Sequence, residues 1–133
     1  KKTNNLSYPI FLCYYIFKRI IENYESGGII MKNKLLEAVK ETVLKIDPAA
    51  QIILYGSRSR GEEEEYSDWD FLILLDKIPD YEKIQNIRHA LYKIELETEE
   101  IISSIIRDKE EWNSSLYRAT PFYKNVMNEA ITL

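Results

Sequence analysis

Two short groups of polar residues in the middle of the chain have the types and spacing that phosphate chemistry needs. The first is the run Gly-Ser-Arg-Ser-Arg-Gly at 56–61, which directly follows an apolar stretch. Glycine lets backbone N–H groups approach an anion closely, and Ser57 adds a hydroxyl donor. Arg58 or Arg60 can neutralise phosphate charge with a planar fork of donors. The run predicts a phosphate-binding loop at Gly56, Ser57, Arg58 and Arg60, with an ordinary tight turn as the alternative.

The second group is the pair Asp68 and Asp70, at the start of a nearly continuous apolar run. Side chains two residues apart on a strand point to the same face, so the two carboxylates converge. They would repel each other unless a cation or a basic group lies between them. Mg²⁺ is a hard ion that takes carboxylate and phosphate oxygens, so we interpret both residues as metal ligands. A solvated strand entrance is the alternative for this pair alone.

The elements that must position these groups follow from the apolar periodicity of the chain. Three- and four-residue spacing predicts helices, and short apolar runs bounded by polar residues or Gly predict strands. Alternation of the two predicts an α+β fold of α/β-like character, with a small mixed sheet of three to four strands flanked by helices. The predicted elements are a helix at 32–46, strands at 51–55 and 69–75, a helix at 80–97, a strand at 101–106, helical segments at 109–116 and 122–129, and an edge strand at 130–133.

Composition limits the classes of function. A chain of 133 residues, 45% hydrophobic and 30% charged, suits one compact core. Its net charge of -4 argues against an extended nucleic-acid surface. One Cys and one His exclude an internal disulfide and the usual zinc motifs, which fits a reducing cytoplasm. The apolar run at 9–17 is cut by Lys18 and Arg19, so we expect no membrane span.

The first thirty residues are set apart from the rest. Gly27 and Gly28 lie shortly before Met31, and their codons can spell a bacterial ribosome-binding site. We therefore expect translation to start at Met31, with residues 1–30 as a non-native upstream extension. The alternative is a loosely attached amphipathic helix. The expected domain is 31–133.

Taken together, the motifs resemble a known family. Gly56-Ser57, Arg60-Gly61 and the run Ser-Asp-Trp-Asp-Phe at 67–71 are similar to the signature of the minimal nucleotidyltransferases in the DNA polymerase beta superfamily. The resemblance covers Met31 to the C-terminus, and the runs at 101–103 and 109–112 also look like that family. It implies a nucleotidyltransferase fold in which the loop residues named above bind the nucleotide, and in which the catalytic residues Asp68 and Asp70 hold Mg²⁺, as two ions, against the triphosphate of ATP. A hydroxyl then attacks the α-phosphorus and pyrophosphate leaves.

The chain departs from the family pattern at the third carboxylate, which usually lies on the third strand. The predicted strand at 101–106 offers only Ser103 and Ser104 among its polar residues. Glu99 or Glu100, just before that strand, is the better-placed candidate for the third metal ligand. If neither reaches the site, the second metal or the general base is compromised, which affects turnover more than nucleotide binding.

Three functions are compatible with these features. Small domains resembling this one commonly serve as antitoxins that transfer AMP to a helical RNase toxin of the higher eukaryotes and prokaryotes nucleotide-binding class. That resemblance implies a protein hydroxyl, such as a toxin tyrosine, as the acceptor. The alternative is a catalytically impaired module that neutralises its partner by binding. A third hypothesis is modification of a small molecule such as an antibiotic.

Overall fold

The computed structural model describes residues 27–28, 31–62, 67–76 and 80–133. The expectation for residues 1–30 therefore lies outside the described residues, apart from 27 and 28. The chain divides into two compact units, Lys1–Lys34 and Leu35–Leu133. Helical backbone covers residues 31–46, and its part within the second unit, residues 35–46, is called α1.

The second unit is built on one four-stranded mixed sheet with the strand order β3-β2-β1-β4. The pairs β1–β2 and β1–β4 are antiparallel, and β2–β3 is parallel. The strands are β1 (Gln51–Tyr55), β2 (Trp69–Leu75), β3 (Ile102–Asp108) and β4 (Ile131–Thr132), and the helices after α1 are α2 (Ser57–Arg60), α3 (Tyr81–Thr98), α4 (Lys109–Trp112), α5 (Ser115–Arg118) and α6 (Pro121–Glu129). The predicted α+β fold with a small mixed sheet is confirmed. None of the described helices is long and apolar enough to cross a membrane.

One face of the sheet packs against α1 and α3. Successive strand residues point to opposite faces, and the odd-numbered residues of β2 face these helices. The apolar stripes of both helices meet them because their residues recur every three or four positions. The buried cluster on this face includes Val39 and Val43 of α1, Trp69, Phe71 and Ile73 of β2, and Ile87 and Leu91 of α3. Trp69 is thereby buried on the face of the sheet opposite to Asp70.

The other face packs against the C-terminal helices. Leu72 and Leu74 of β2 belong to a buried cluster with Trp112 and Val126. Three aromatic rings pack against the indole of Trp112. The single helical segment predicted at 109–116 is wrong: Ser114 interrupts it and caps a new helix by accepting a hydrogen bond from the Tyr117 N–H at 3.2 Å. Ser competes well for backbone donors, so it favours this N-cap over a helix interior.

A capping residue fixes the start of α3. The Asp80 side chain accepts a hydrogen bond from the Lys83 backbone N–H at 2.7 Å, which satisfies one of the helix's free donors. We expect Asp80→Ala to lower the free energy of unfolding by about 1 kcal/mol, measured by urea denaturation. Asp80→Asn keeps the acceptor oxygen and is the control, so a loss of equal size in Asn would contradict the capping role.

Candidate active site

The loop after β1 lies directly against the acidic pair on β2. The strands are antiparallel, and Tyr55 is the register partner of Asp70. Gly56 follows with φ +78° and ψ -163°, a backbone region that is essentially limited to glycine. A Cβ atom built on Gly56 would lie 2.4 Å from Asp70 Oδ2. The two groups that the sequence predicts to act on phosphate and metal therefore meet where the C-terminal end of β1 lies beside the N-terminal end of β2, in the middle of the sheet.

Asp70 is half-buried, whereas Asp68 is exposed and precedes the strand. Burial raises the pKa of Asp70 above its ordinary value, and the charges of Asp68 and Glu129 raise it further. The pKa of Tyr55 is also raised, by burial and then by the charge of Asp70. Burial and two neighbouring negative charges disfavour the ionised form of this carboxyl group. A bound cation offsets both effects, so the site favours cation binding.

This donor set fits a hard divalent cation such as Mg²⁺, which prefers carboxylate oxygens and keeps several waters or phosphate oxygens. In the described part of the chain, no three His, Cys, Asp or Glu side chains are grouped closely enough to hold a metal ion by themselves. Asp68 and Asp70 would therefore supply two carboxylates, and the remaining ligands would come from nucleotide and water.

The position opposite Asp70 on β3 is a serine. β2 and β3 run parallel, and Asp70 is the register partner of Ser103. Aligned residues of neighbouring strands project to the same face of a sheet, so Ser103 occupies the site-facing position of β3. The third strand thus contributes a hydroxyl to this face beside Asp70, in line with the serine that the sequence places there.

Glu129, at the end of α6, is a site residue that the sequence reasoning missed. Its Oε2 accepts a hydrogen bond from the Gly56 backbone N–H at 2.9 Å, and its Oε1 lies 2.5 Å from Arg60 Nη1. The signal that could have found it is the pairing of β4 with β1. That register joins Leu54 to Ile131, and continuing it outward places position 129 beside position 56.

The remaining candidates have different surroundings. Arg60 is partly exposed, and its guanidinium forms ion pairs with the carboxylates of both Glu62 and Glu129. Ser57 is half-buried as the first residue of α2. Glu99 is exposed at the C-terminal end of α3 in the left-handed conformation, φ 57°.

Arg58 and Glu100 make an ion pair with each other. The Arg58 Nη2 atom lies 3.1 Å from Glu100 Oε2, and only 10% of the Arg58 side chain is exposed. The structure therefore places Glu100, a candidate third metal ligand, against a guanidinium group.

Glu129 affects the titration of Asp70 through its charge. We expect Glu129→Gln to lower the pKa of Asp70 towards its ordinary value, because the substitution removes one of the negative charges that raise it. The amide oxygen of Gln can still accept from the Gly56 N–H. Carboxyl ¹³C NMR titration of Asp70 measures the change, and Mn²⁺ binding should then persist to lower pH. Glu110→Gln, an exposed residue of α4 at the opposite end of the sheet, is the control, and an equal shift there would contradict the assignment.

Comparison with known proteins identifies the family of this chain. Residues 32–132 match the family model described as a nucleotidyltransferase domain. The chain belongs to this family, so it is a transferase of nucleotidyl groups, and the resemblance seen in the sequence is confirmed. It is also 35% identical to a protein of Methanocaldococcus jannaschii named "Putative protein adenylyltransferase", over 82 residues that make up 57% of this chain and 82% of that protein.

Proposed function

We propose that this protein moves AMP from ATP to a hydroxyl group of a protein partner in an Mg²⁺-dependent reaction. The observation that supports the proposal is the close approach of Gly56 to Asp70, because it brings the proposed phosphate-binding loop next to one residue of the proposed metal-binding pair. The choice of a protein acceptor is supported by the name of the similar Methanocaldococcus jannaschii protein.

Each site residue has a defined task in this proposal. The backbone and hydroxyl of Ser57 and the guanidinium of Arg60 would bind phosphate oxygens of ATP, and Asp68 and Asp70 would hold the metal ion. The chemistry that a bound Mg²⁺ supplies is neutralisation of charge on the triphosphate and on the entering and leaving oxygens. Glu129 now accepts from Gly56 and Arg60, so bound phosphate would share or replace these contacts.

The transfer itself is an in-line displacement. The acceptor oxygen forms a bond to the α-phosphorus, the bond from that phosphorus to the bridging oxygen of the β-phosphate breaks, and pyrophosphate leaves with the electron pair. The acceptor proton passes to solvent or to a carboxylate of the site. Positioning and charge stabilisation account for most of the catalysis in such a reaction.

The proposed partner is a helical RNase toxin of the higher eukaryotes and prokaryotes nucleotide-binding class, modified on a tyrosine, which would make this protein its antitoxin. The support is the resemblance of the Gly56-Ser57 and Asp68-Trp69-Asp70 motifs to those of antitoxin-type nucleotidyltransferases.

The test uses ATP labelled in two positions. The purified protein, Mg²⁺ and the product of the neighbouring gene are incubated with ATP carrying ³²P at the α- or the γ-phosphorus. We expect label on the partner from α-labelled ATP only, and none with Asp70→Asn. Asp76→Asn is the matched control, because Asp76 follows the far end of β2 and pairs with Lys109. Label from γ-labelled ATP, or none from either, would overturn the proposal.

One observation favours a second candidate. Ser103 stands opposite Asp70 where the family usually has its third carboxylate, which is the pattern expected of a catalytically impaired module that neutralises its partner by binding. In that case Asp70→Asn would protect the partner as well as the wild-type protein does, and no label would appear. Loss of protection together with loss of label would favour the enzyme.

A further inference from the structure

Arg58 lies beneath the acidic pair and contacts the residue before Asp68. Its Nε and Nη2 atoms both donate to the Ser67 carbonyl oxygen, at 3.0 and 2.7 Å. Nη2 also donates to Glu100 Oε2 at 3.1 Å, and the guanidinium carbon lies 4.5 Å from the centre of the Trp69 ring. The guanidinium is thus fixed by two acceptors and one aromatic face.

The Glu100 carboxylate links Arg58 to Trp69. Glu100 Oε2 accepts from the indole Nε1 of Trp69 at 3.1 Å as well as from Arg58. The Trp69 ring is itself buried in the core beneath the sheet. A planar guanidinium that is paired, stacked and hydrogen-bonded in this way is held in one orientation, which Lys could not reproduce.

Asp68 needs such support, because it is outside the strand. β2 begins at Trp69, whose backbone N–H donates to the Ile101 carbonyl at 2.8 Å. That bond fixes the peptide unit after Asp68, but the peptide unit before Asp68 makes no ladder bond of its own in β2. The fork of Arg58 on the Ser67 carbonyl fixes the peptide unit from which Asp68 projects.

Arg58 also differs from Arg60 in its availability to phosphate. Its side chain is 10% exposed and that of Arg60 is 41% exposed, and the charge of Arg58 is balanced by Glu100. A partly exposed arginine with surface acceptors can exchange them for phosphate, whereas two donor atoms of Arg58 are already committed to Ser67.

We propose that Arg58 is a positioning residue that orients Asp68 towards a divalent ion through the Ser67 carbonyl, with Glu100 as its counter-ion, rather than a phosphate ligand. The proposal deepens the proposed function and rests on it for the role of the metal. It assigns to Arg58, Trp69 and Glu100 a joint effect on metal affinity, which is typical of groups that orient a ligand from behind.

The test measures binding without turnover. Mn²⁺ alone is titrated into the full chain by calorimetry, and a non-hydrolysable ATP analogue is titrated separately in EDTA. For Arg58→Lys we expect Mn²⁺ affinity to fall by about 10-fold or more, the usual range for residues behind a metal ligand. Affinity for the analogue in EDTA should change by less than about twofold, since a phosphate contact would be worth far more.

Arg60→Lys is the matched control on the same loop and should show the reverse pattern. A second variant, Trp69→Phe, keeps an aromatic ring under Arg58 but removes the indole N–H that holds Glu100, together with some core packing. It should weaken Mn²⁺ binding in the same direction by a smaller factor. The proposal is overturned if Arg58→Lys binds Mn²⁺ as tightly as the wild-type protein, or if it loses affinity for the analogue in EDTA. If the wild-type protein binds Mn²⁺ and Arg58→Lys does not, yet no AMP is transferred, the proposed function fails and this inference stands.

Discussion

Asp70→Asn is expected to reduce nucleotidyl transfer severely and at the same time to stabilise the ligand-free protein at neutral pH. The loss of transfer should be about a thousandfold, because a metal-held charge contributes several kcal/mol to the transition state of a phosphoryl displacement and about 1.4 kcal/mol corresponds to a factor of ten. The gain in stability has a separate cause, which is the unfavourable position of this carboxylate in the fold.

The direction follows from the raised pKa of Asp70, caused first by burial and then by Asp68 and Glu129. The contribution of a group whose pKa is raised in the folded state is fully present below its unfolded value, about 3.9 for Asp. It is lost as the pH rises through the raised folded value, so the ionised group opposes folding at pH 7. Asn carries no charge and removes this opposition. Since Asp70 is only half-buried, solvent screening keeps the gain below about 1 kcal/mol.

Thermal unfolding in EDTA at pH 7 and at pH 3 measures this effect. Asp70→Asn should unfold a few degrees above the wild-type protein at pH 7, and the difference should shrink at pH 3, where the wild-type carboxyl is protonated. Added Mg²⁺ should stabilise the wild-type protein and leave Asp70→Asn unchanged. Asp68→Asn should lose transfer with a smaller gain in stability, because Asp68 is exposed. A wild-type protein more stable than Asp70→Asn in EDTA would contradict this account.

Much of the sheet could be predicted because its strands are short apolar runs with clear polar boundaries. The bounds Gln51–Tyr55 and Trp69–Leu75 coincide with the structure, and Asp80 marks the start of α3 as a capping residue. For the third strand the apolar pattern predicts 101–106, whereas the strand runs from Ile102 to Asp108. Arg107 and Asp108 extend the strand because their backbones pair with β2. The apolar pattern of the sequence does not reveal such backbone pairing.

The site was predictable where it depends on local chemistry, and it was missed where it depends on long-range pairing. Gly56 and Asp70 have distinctive residue types in adjacent segments, and their meeting follows from one hairpin-like pair of strands. Glu129 reaches Gly56 only because a two-residue strand, β4, returns to β1. Arg58 is an arginine in a phosphate-type loop by sequence, and only the fold shows that its donors point to Ser67.

Gly56→Ala should have the second large effect, on both activity and stability. The added Cβ would lie 2.4 Å from Asp70 Oδ2. The backbone at this position has φ +78° and ψ -163°, a conformation that alanine rarely adopts. The backbone strain alone costs about 1–3 kcal/mol, and the contact must displace the Asp70 carboxylate or the loop. A displacement of this kind at a reacting centre can reduce the rate by about 100-fold.

Gly61→Ala separates the two causes, because Gly61 also has a positive φ, +70°, but nothing lies within 4 Å of an added Cβ. Its backbone is in the ordinary left-handed region, so alanine there should cost about 1–2 kcal/mol of stability. Since the Gly61 substitution leaves Asp70 in place, transfer should remain near the wild-type rate at a temperature where both variants are folded. Urea denaturation and α-labelled ATP transfer measure the two quantities. If both variants lose activity only in proportion to their loss of stability, the close approach of Gly56 to Asp70 has no catalytic role. If Gly56→Ala alone loses activity while folded, the distance between Gly56 and the Asp70 carboxylate limits the reaction.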